Sequence, residues 1–126
     1  MEGRPTVLIC DDEPDLLTMY AAALKKRYNV LTASSGKGCI EKYMEHTLRG
    51  KKIGVVLLDY RLGDGRGDDI ACKIRDLEGA KTILISAYDL EKEKVDEMKA
   101  SNCIVDTIIK PVSLKALIEK VQRALD

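Results

Sequence analysis

Five side chains in this sequence are of types that do chemistry, and each stands at the end of a short apolar run. Val7 to Cys10 is followed by Asp11, Asp12 and then Glu13; Val55 to Leu58 by Asp59; Thr82 to Ile85 by Ser86; and Ile108 and Ile109 by Lys110 and Pro111. If the ends of these runs meet, three carboxylates, a hydroxyl and a lysine share one small volume. Crowded carboxylates repel, and either a divalent cation or a raised pKa relieves them. Oxygen donors without His or Cys favour Mg²⁺, with Mn²⁺ as the alternative, and Mg²⁺ keeps coordination sites for a phosphate-bearing partner. A lysine and a hydroxyl beside such a cation describe a phosphoryl-binding site. Taken singly, each residue also has an ordinary role: Asp12 and Glu13 suit a helix N-terminus, Asp59 a turn, Ser86 a strand end and Lys110 a solvated surface. Their joint occurrence at four run ends is the informative observation.

The elements that must position these residues follow from the hydrophobic period, which switches repeatedly between strand-like and helix-like. Strands are expected over Thr6 to Cys10, Val30 to Ala33, Ile53 to Leu58, Thr82 to Ser86 and Ile104 to Ile109. Helices are expected after Asp12-Glu13-Pro14, with Leu17, Tyr20, Ala21 and Leu24 inward, and after Ser34-Ser35-Gly36, with Ile40, Tyr43, Met44 and Thr47 on one face. A third carries Ile70, Ala71, Ile74 and Leu77, and a charged fourth, Glu91 to Ala100, offers little beyond Val95, Met98 and Ala100. The last has a clean stripe of Leu114, Leu117, Ile118, Val121 and Leu125. Five strand-helix units without a linker imply an α/β fold: a doubly wound five-stranded parallel sheet with helices on both faces. In such a sheet the ligand crevice lies beyond the carboxyl ends of the strands, where the five polar residues fall.

Composition narrows the function classes. The 126 residues carry 21 Lys+Arg against 21 Asp+Glu, so no general electrostatic case exists for direct nucleic-acid binding. The basic cluster Arg49, Lys51 and Lys52 reads as a solvated loop, and Gly63, Gly65 and Gly67 as a flexible turn rather than a dinucleotide fingerprint. No apolar run spans a bilayer and no signal-peptide pattern leads the chain, which predicts a cytoplasmic protein without membrane insertion. Cys10, Cys39, Cys72 and Cys103 are widely spaced and are expected as reduced thiols. With no Phe or Trp, the core must rely on aliphatics and on Tyr20, Tyr28 and Tyr43.

In VLICDDEPDLL (Val7 to Leu17), VVLLDYRLGDGRG (Val55 to Gly67), TILISA (Thr82 to Ala87) and IIKPVSLKALIEKV (Ile108 to Val121), the sequence resembles the receiver domain of bacterial two-component response regulators, chemotaxis-type single-domain members included. The resemblance implies a flavodoxin-like receiver fold over residues 1–126 as one domain. It implies that Asp59 is the phosphoacceptor, taking its phosphoryl group from a sensor histidine kinase or a histidine phosphotransfer protein. Asp11, Asp12, Asp59 and the backbone carbonyl of Arg61 would hold Mg²⁺. Lys110 and Ser86 would contact the phosphoryl group beside the small Ala87, and the peptide before Pro111 would be cis. Phosphorylation would shift the face formed by the fourth helix, fifth strand and fifth helix, and a downstream protein would read it; the chain would be a switch rather than an enzyme, a monomer or a weak homodimer.

Three positions depart from the family pattern. Thr107 occupies the usual place of an aromatic switch residue, which leaves Tyr88 as a substitute; Arg61 and Tyr88 flank the site as modulators. Gly63 and Arg66 predict a looser and more basic loop after Asp59. Two other readings remain: a docking module on the same fold that never takes phosphate, and a Mg²⁺-dependent phosphohydrolase. The second normally needs another acid two residues after its nucleophile, where this chain has Arg61.

Overall fold

Short β-branched runs, each followed by an amphipathic segment, build alternating strands and helices that pack as three layers. The computed structural model describes residues 3–77, 80–87 and 90–126. In chain order they form β1 (Thr6–Cys10), α1 (Pro14–Leu24), β2 (Asn29–Ala33), α2 (Gly36–Leu48), β3 (Val55–Asp59), α3 (Gly67–Leu77), β4 (Lys81–Ser86), α4 (Lys92–Ala100), β5 (Asp106–Ile109) and α5 (Leu114–Leu125). A short antiparallel ribbon, Arg61–Leu62 against Gly65–Arg66, joins β3 to α3. The sheet order is β2-β1-β3-β4-β5, and every pairing is parallel. Because every strand runs parallel, the C-terminal ends of β1, β3, β4 and β5 lie at the same edge.

Strand alternation sorts the interior into two cores. Leu8, Cys10, Val56, Leu58 and Leu84 face Cys39, Tyr43, Ile70, Ala71, Ile74 and Met98. Val7, Ile9, Val55, Leu57, Ile83 and Ile85 face Tyr20, Leu24, Tyr28, Leu117 and Val121. Because β1 and β3 are buried on both faces, their sequences are continuous apolar runs rather than alternating ones. The three tyrosines do occupy the core. No helix among the described residues is long and apolar enough to cross a membrane.

The structure corrects five details. The third strand starts at Val55 rather than Ile53, and the fifth at Asp106 rather than Ile104. Ile104 is still buried, but its amide turns back to the carbonyl of Met98 at the end of α4, after a left-handed residue at Asn102 (φ 63°). The inner face of α2 is Gly36, Cys39, Ile40 and Tyr43, while Met44 points outward; Gly36 lets the helix sit directly on Ile70 of α3. Leu77 likewise ends α3 on the outside. The largest departure concerns the cysteines: Cys72 and Cys103 form a disulfide, and Cys10 and Cys39 alone are free and buried. Spacing in sequence could not reveal this pair, since α3 and the α4–β5 turn meet only through packing.

Candidate functional site

The end of β1 delivers Asp11 and Asp12, and the end of β3 delivers Asp59. Their carboxylates each present an oxygen within 4.8 Å of the others. Asp11 and Asp59 are almost fully buried and Asp12 is exposed, so the cluster opens to solvent on one side. Asp11 is held in place by its own loop, where Oδ1 accepts the amide of Glu13 at 2.9 Å. Asp59 Oδ1 accepts the amide of Arg61 at 3.4 Å. The strand ladder extends past both neighbours of the site: Tyr60 N–H donates to Ile85 at 2.7 Å, and Lys110 N–H to Ser86 at 2.7 Å. On β4, Ile85 pairs with Asp59, and Ser86, buried, and Ala87, exposed, follow it in the chain.

Lys110 enters from β5 across a cis peptide bond to Pro111. Its Nζ stands 3.4 Å from Asp59 Oδ2, 3.7 Å from Asp11 Oδ2 and 4.0 Å from Glu13 Oε1. One cation thus faces an excess of carboxylates in a largely buried setting. Burial, then the Asp11 charge, push the Asp59 carboxyl up to about 6, against the opposing pull of Lys110 and the Arg61 amide. Below the cluster, burial and the charges of Asp11, Asp59 and Glu13 push the Tyr20 hydroxyl up to about 12. The group therefore fits a hard cation on two grounds: all donors are oxygens, and Asp11 Oδ2 is buried with no hydrogen-bond partner among the described residues.

The remaining expected residues divide. Arg61 lies exposed on the ribbon next to Asp59. Thr107 is half-buried in β5, its carbonyl accepting Lys120 Nζ at 2.7 Å, and Lys120 also pairs with Asp106 at 3.1 Å. Tyr88 lies outside the described residues. The loop after Asp59 is not loose. Asp64, at its tip, accepts the amides of Gly36 (2.7 Å) and Lys37 (3.0 Å) at the start of α2, and these bonds hold its carboxyl below the ordinary range.

Sequence reasoning missed a second polar cluster next to the site. Arg66 donates twice to Asp68, at 3.1 and 2.7 Å, while Lys94 from α4 meets Asp68 at 3.0 Å and the Tyr60 hydroxyl at 3.0 Å. Burial alone would raise the Asp68 carboxyl, yet the hydrogen bonds and charges of Arg66 and Lys94 hold it below its ordinary value. Gly67 makes the approach possible: a Cβ there would stand 2.6 Å from the Asp59 carbonyl oxygen and 2.8 Å from Tyr60 Cα. Its position in the glycine loop was the available signal, and close approach rather than flexibility is its reason.

The molecule is thus a doubly wound parallel sheet with an acidic cluster and a lysine at its C-terminal edge, and the sequence comparison names its family. Residues 7–122 match the response regulator receiver domain, and the chain belongs to that family. It is 31% identical over 127 residues to the probable transcriptional regulatory protein TcrX of Mycobacterium tuberculosis, covering 98% of this chain and 51% of TcrX. It is 32% identical over 120 residues to the transcriptional regulatory protein KdpE of the same species, covering 94% and 50% respectively. The chain thus spans about half the length of these curated relatives. Among solved structures, a CheY-like receiver domain protein from Methanospirillum hungatei superposes with a TM-score of 0.84 at 25% identity, covering 98% of this chain and 95% of that one. The regulator TrrA of Thermotoga maritima, in complex with Mg²⁺-BeF, gives 0.78 at 25% identity, covering 96% and 99%. Receiver domains are phosphorylation-dependent modules of two-component systems rather than enzymes in their own right. They bind Mg²⁺ at their acidic pocket and interact with histidine kinases or phosphotransfer proteins.

Proposed function

We propose that residues 1–126 act as a single receiver domain in which Asp59 accepts a phosphoryl group from a sensor histidine kinase or a histidine phosphotransfer protein. The observation that carries this reading is the placement of Lys110 Nζ 3.4 Å from Asp59 inside a three-carboxylate cluster. An Asp59 oxygen attacks phosphorus, and the P–N bond of the donor phosphohistidine breaks as the O–P bond forms. The electron pair leaves on the imidazole, which takes up a proton. Asp11, Asp12, Asp59 and the Arg61 carbonyl would hold Mg²⁺, with Mn²⁺ as a substitute, and the cation supplies charge neutralisation for the phosphoryl oxygens. Lys110 meets the transferring oxygens as a fixed positive charge, Ser86 donates to the attached group, and Ala87 leaves room for it.

The response then falls on α4, β5 and α5. Among the described residues, α4 buries only Met98, and Lys94 ties it to Tyr60, the residue next to Asp59. That contact offers a route from the site to α4 that needs no aromatic at Thr107. The partner downstream is a protein, the chain is a monomer or a weak homodimer, and the setting is cytoplasmic.

Incubation with acetyl phosphate and Mg²⁺, followed by intact mass measurement, tests the assignment. The wild type should gain one phosphoryl group, and Asp59→Asn or added EDTA should abolish the gain. An unlabelled wild type, or equal labelling of Asp59→Asn, would return the protein to a phosphate-independent docking role.

A further inference from the structure

The fourth helix is fastened to the third by an ion pair, a hydrogen bond from Arg75 to the Ser101 carbonyl and a disulfide, and the last is chemically reversible. At its N-terminal half, Lys94 pairs with Asp68 in the first turn of α3. At its C-terminal end, Cys103 is bonded to Cys72 one turn further along α3, across a sequence separation of 31. Between them α4 buries a single side chain, Met98, with Val95 packed at the edge of the core. The surroundings of the bond are unequal. Cys72 is half-buried and Cys103 is 2% exposed. The Cys103 sulfur receives Arg75 Nη1 at 3.3 Å and the Ser101 hydroxyl at 3.4 Å, and the same Nη1 holds the Ser101 carbonyl at 2.8 Å.

We propose that Cys72 and Cys103 are a thiol–disulfide modification site that clamps the C-terminal end of α4 to α3 and releases it on reduction by a low-molecular-weight thiol such as glutathione. The attacking thiolate forms a bond to the more accessible Cys72 sulfur, and the Cys72–Cys103 bond breaks. Cys103 leaves as a thiolate facing the Ser101 hydroxyl and Nη1 of Arg75, whose guanidinium also pairs with Asp76 at 2.8 Å, and these donors favour sulfur as a leaving group. A second glutathione thiolate attacks the mixed disulfide, releasing Cys72 and oxidised glutathione. Two electrons pass to the protein sulfurs, which take up protons from water according to pH. Closure is the reverse, with oxidised glutathione as the two-electron acceptor. Where protein disulfides occur in reducing compartments they are commonly of this transient, sensing kind. Once the bond opens, α4 is left with Met98, Val95, the Lys94 contacts and the Arg75 hydrogen bond to the Ser101 carbonyl, and without a covalent tie its local opening free energy falls. The inference stands apart from the phosphorylation reading, because its observables are the sulfur atoms and α4 itself.

The test equilibrates the purified chain in glutathione buffers of graded oxidised-to-reduced ratio, followed by acid quench, alkylation and intact mass. Amide hydrogen exchange is then measured on the oxidised and reduced forms. The pair should titrate as one two-electron unit, and reduction should speed exchange in residues 92–103 by about tenfold while β1 and β3 stay unchanged. Cys72→Ser, at the half-buried partner, should show the fast exchange in either buffer. Arg75→Ala should slow reduction several-fold, and Arg75→Lys should restore much of the rate. Two free thiols at every ratio, or identical α4 exchange in the oxidised and reduced forms, would overturn the proposal.

Discussion

Replacing Asp59 by asparagine should stabilise the metal-free protein, and by an amount that grows with pH. The carboxyl is 5% exposed and titrates at about 6 rather than 3.8 because burial and Asp11 oppose its charge. Between those two values the unfolded chain has released the proton and the folded chain still holds it, so stability falls as pH rises through that window. The shift of about 2 units corresponds to about 3 kcal/mol at 1.36 kcal/mol per unit, fully lost above about pH 7. Roughly half of that loss has already accrued by about pH 5. Urea unfolding in EDTA from about pH 5 to about pH 8 should therefore show the wild type losing about 1.5 kcal/mol relative to Asp59→Asn, with Asp59→Asn the more stable throughout. Added Mg²⁺ should recover roughly 2 to 3 kcal/mol in the wild type when its concentration exceeds Kd about 100-fold, and much less in the variant. Parallel stability curves for the two proteins across this range would refute the account of a strained carboxylate cluster.

Lys110→Ala removes the main cation opposing the Asp59 shift, so a carboxyl titration followed by ¹³C NMR should move further upward; an unchanged titration would show that Lys110 is not coupled to Asp59. Gly67→Ala would force a Cβ against the backbone of Asp59 and Tyr60 and should cost about 1 to 3 kcal/mol in urea unfolding, whereas a neutral result would mean that the ribbon yields freely. Lys94→Ala leaves the buried Asp68 with Arg66 and the Asp69 amide, and should cost about 1 kcal/mol and raise amide exchange in α4; unchanged exchange would exclude Lys94 as an anchor of that helix.

The two kinds of residue just perturbed differ in how they could be found. Asp11, Asp12, Asp59, Ser86 and Lys110 are each local marks at the end of an apolar run, and the parallel crossover rule carries those ends to one edge whatever the packing. Asp68 and Lys94 look like ordinary charges on helices, and only the approach of α4 to α3 makes them partners. On α2, Ile40 and Tyr43 do face the core, but Met44 points outward and Gly36 and Cys39 complete the inner face, for a related reason. Periodicity alone cannot rank small residues as core, and Gly36 and Cys39 are inward because they let the helix lie close on Ile70 and Cys10.

Sequence by itself thus determined the order of strands and helices, the acidic and basic residues of the site and their meeting at one edge, since these depend on local period and on chain chirality. Tertiary structure decided what the site experiences and what is tied to it. The raised Asp59 carboxyl depends on desolvation and on a neighbour 48 positions away in the chain. The Cys72–Cys103 bond and the Tyr60–Lys94–Asp68 cluster depend on how closely separate helices pack. Distances across layers are set by the volumes of everything between them, and no local pattern in the chain encodes that sum.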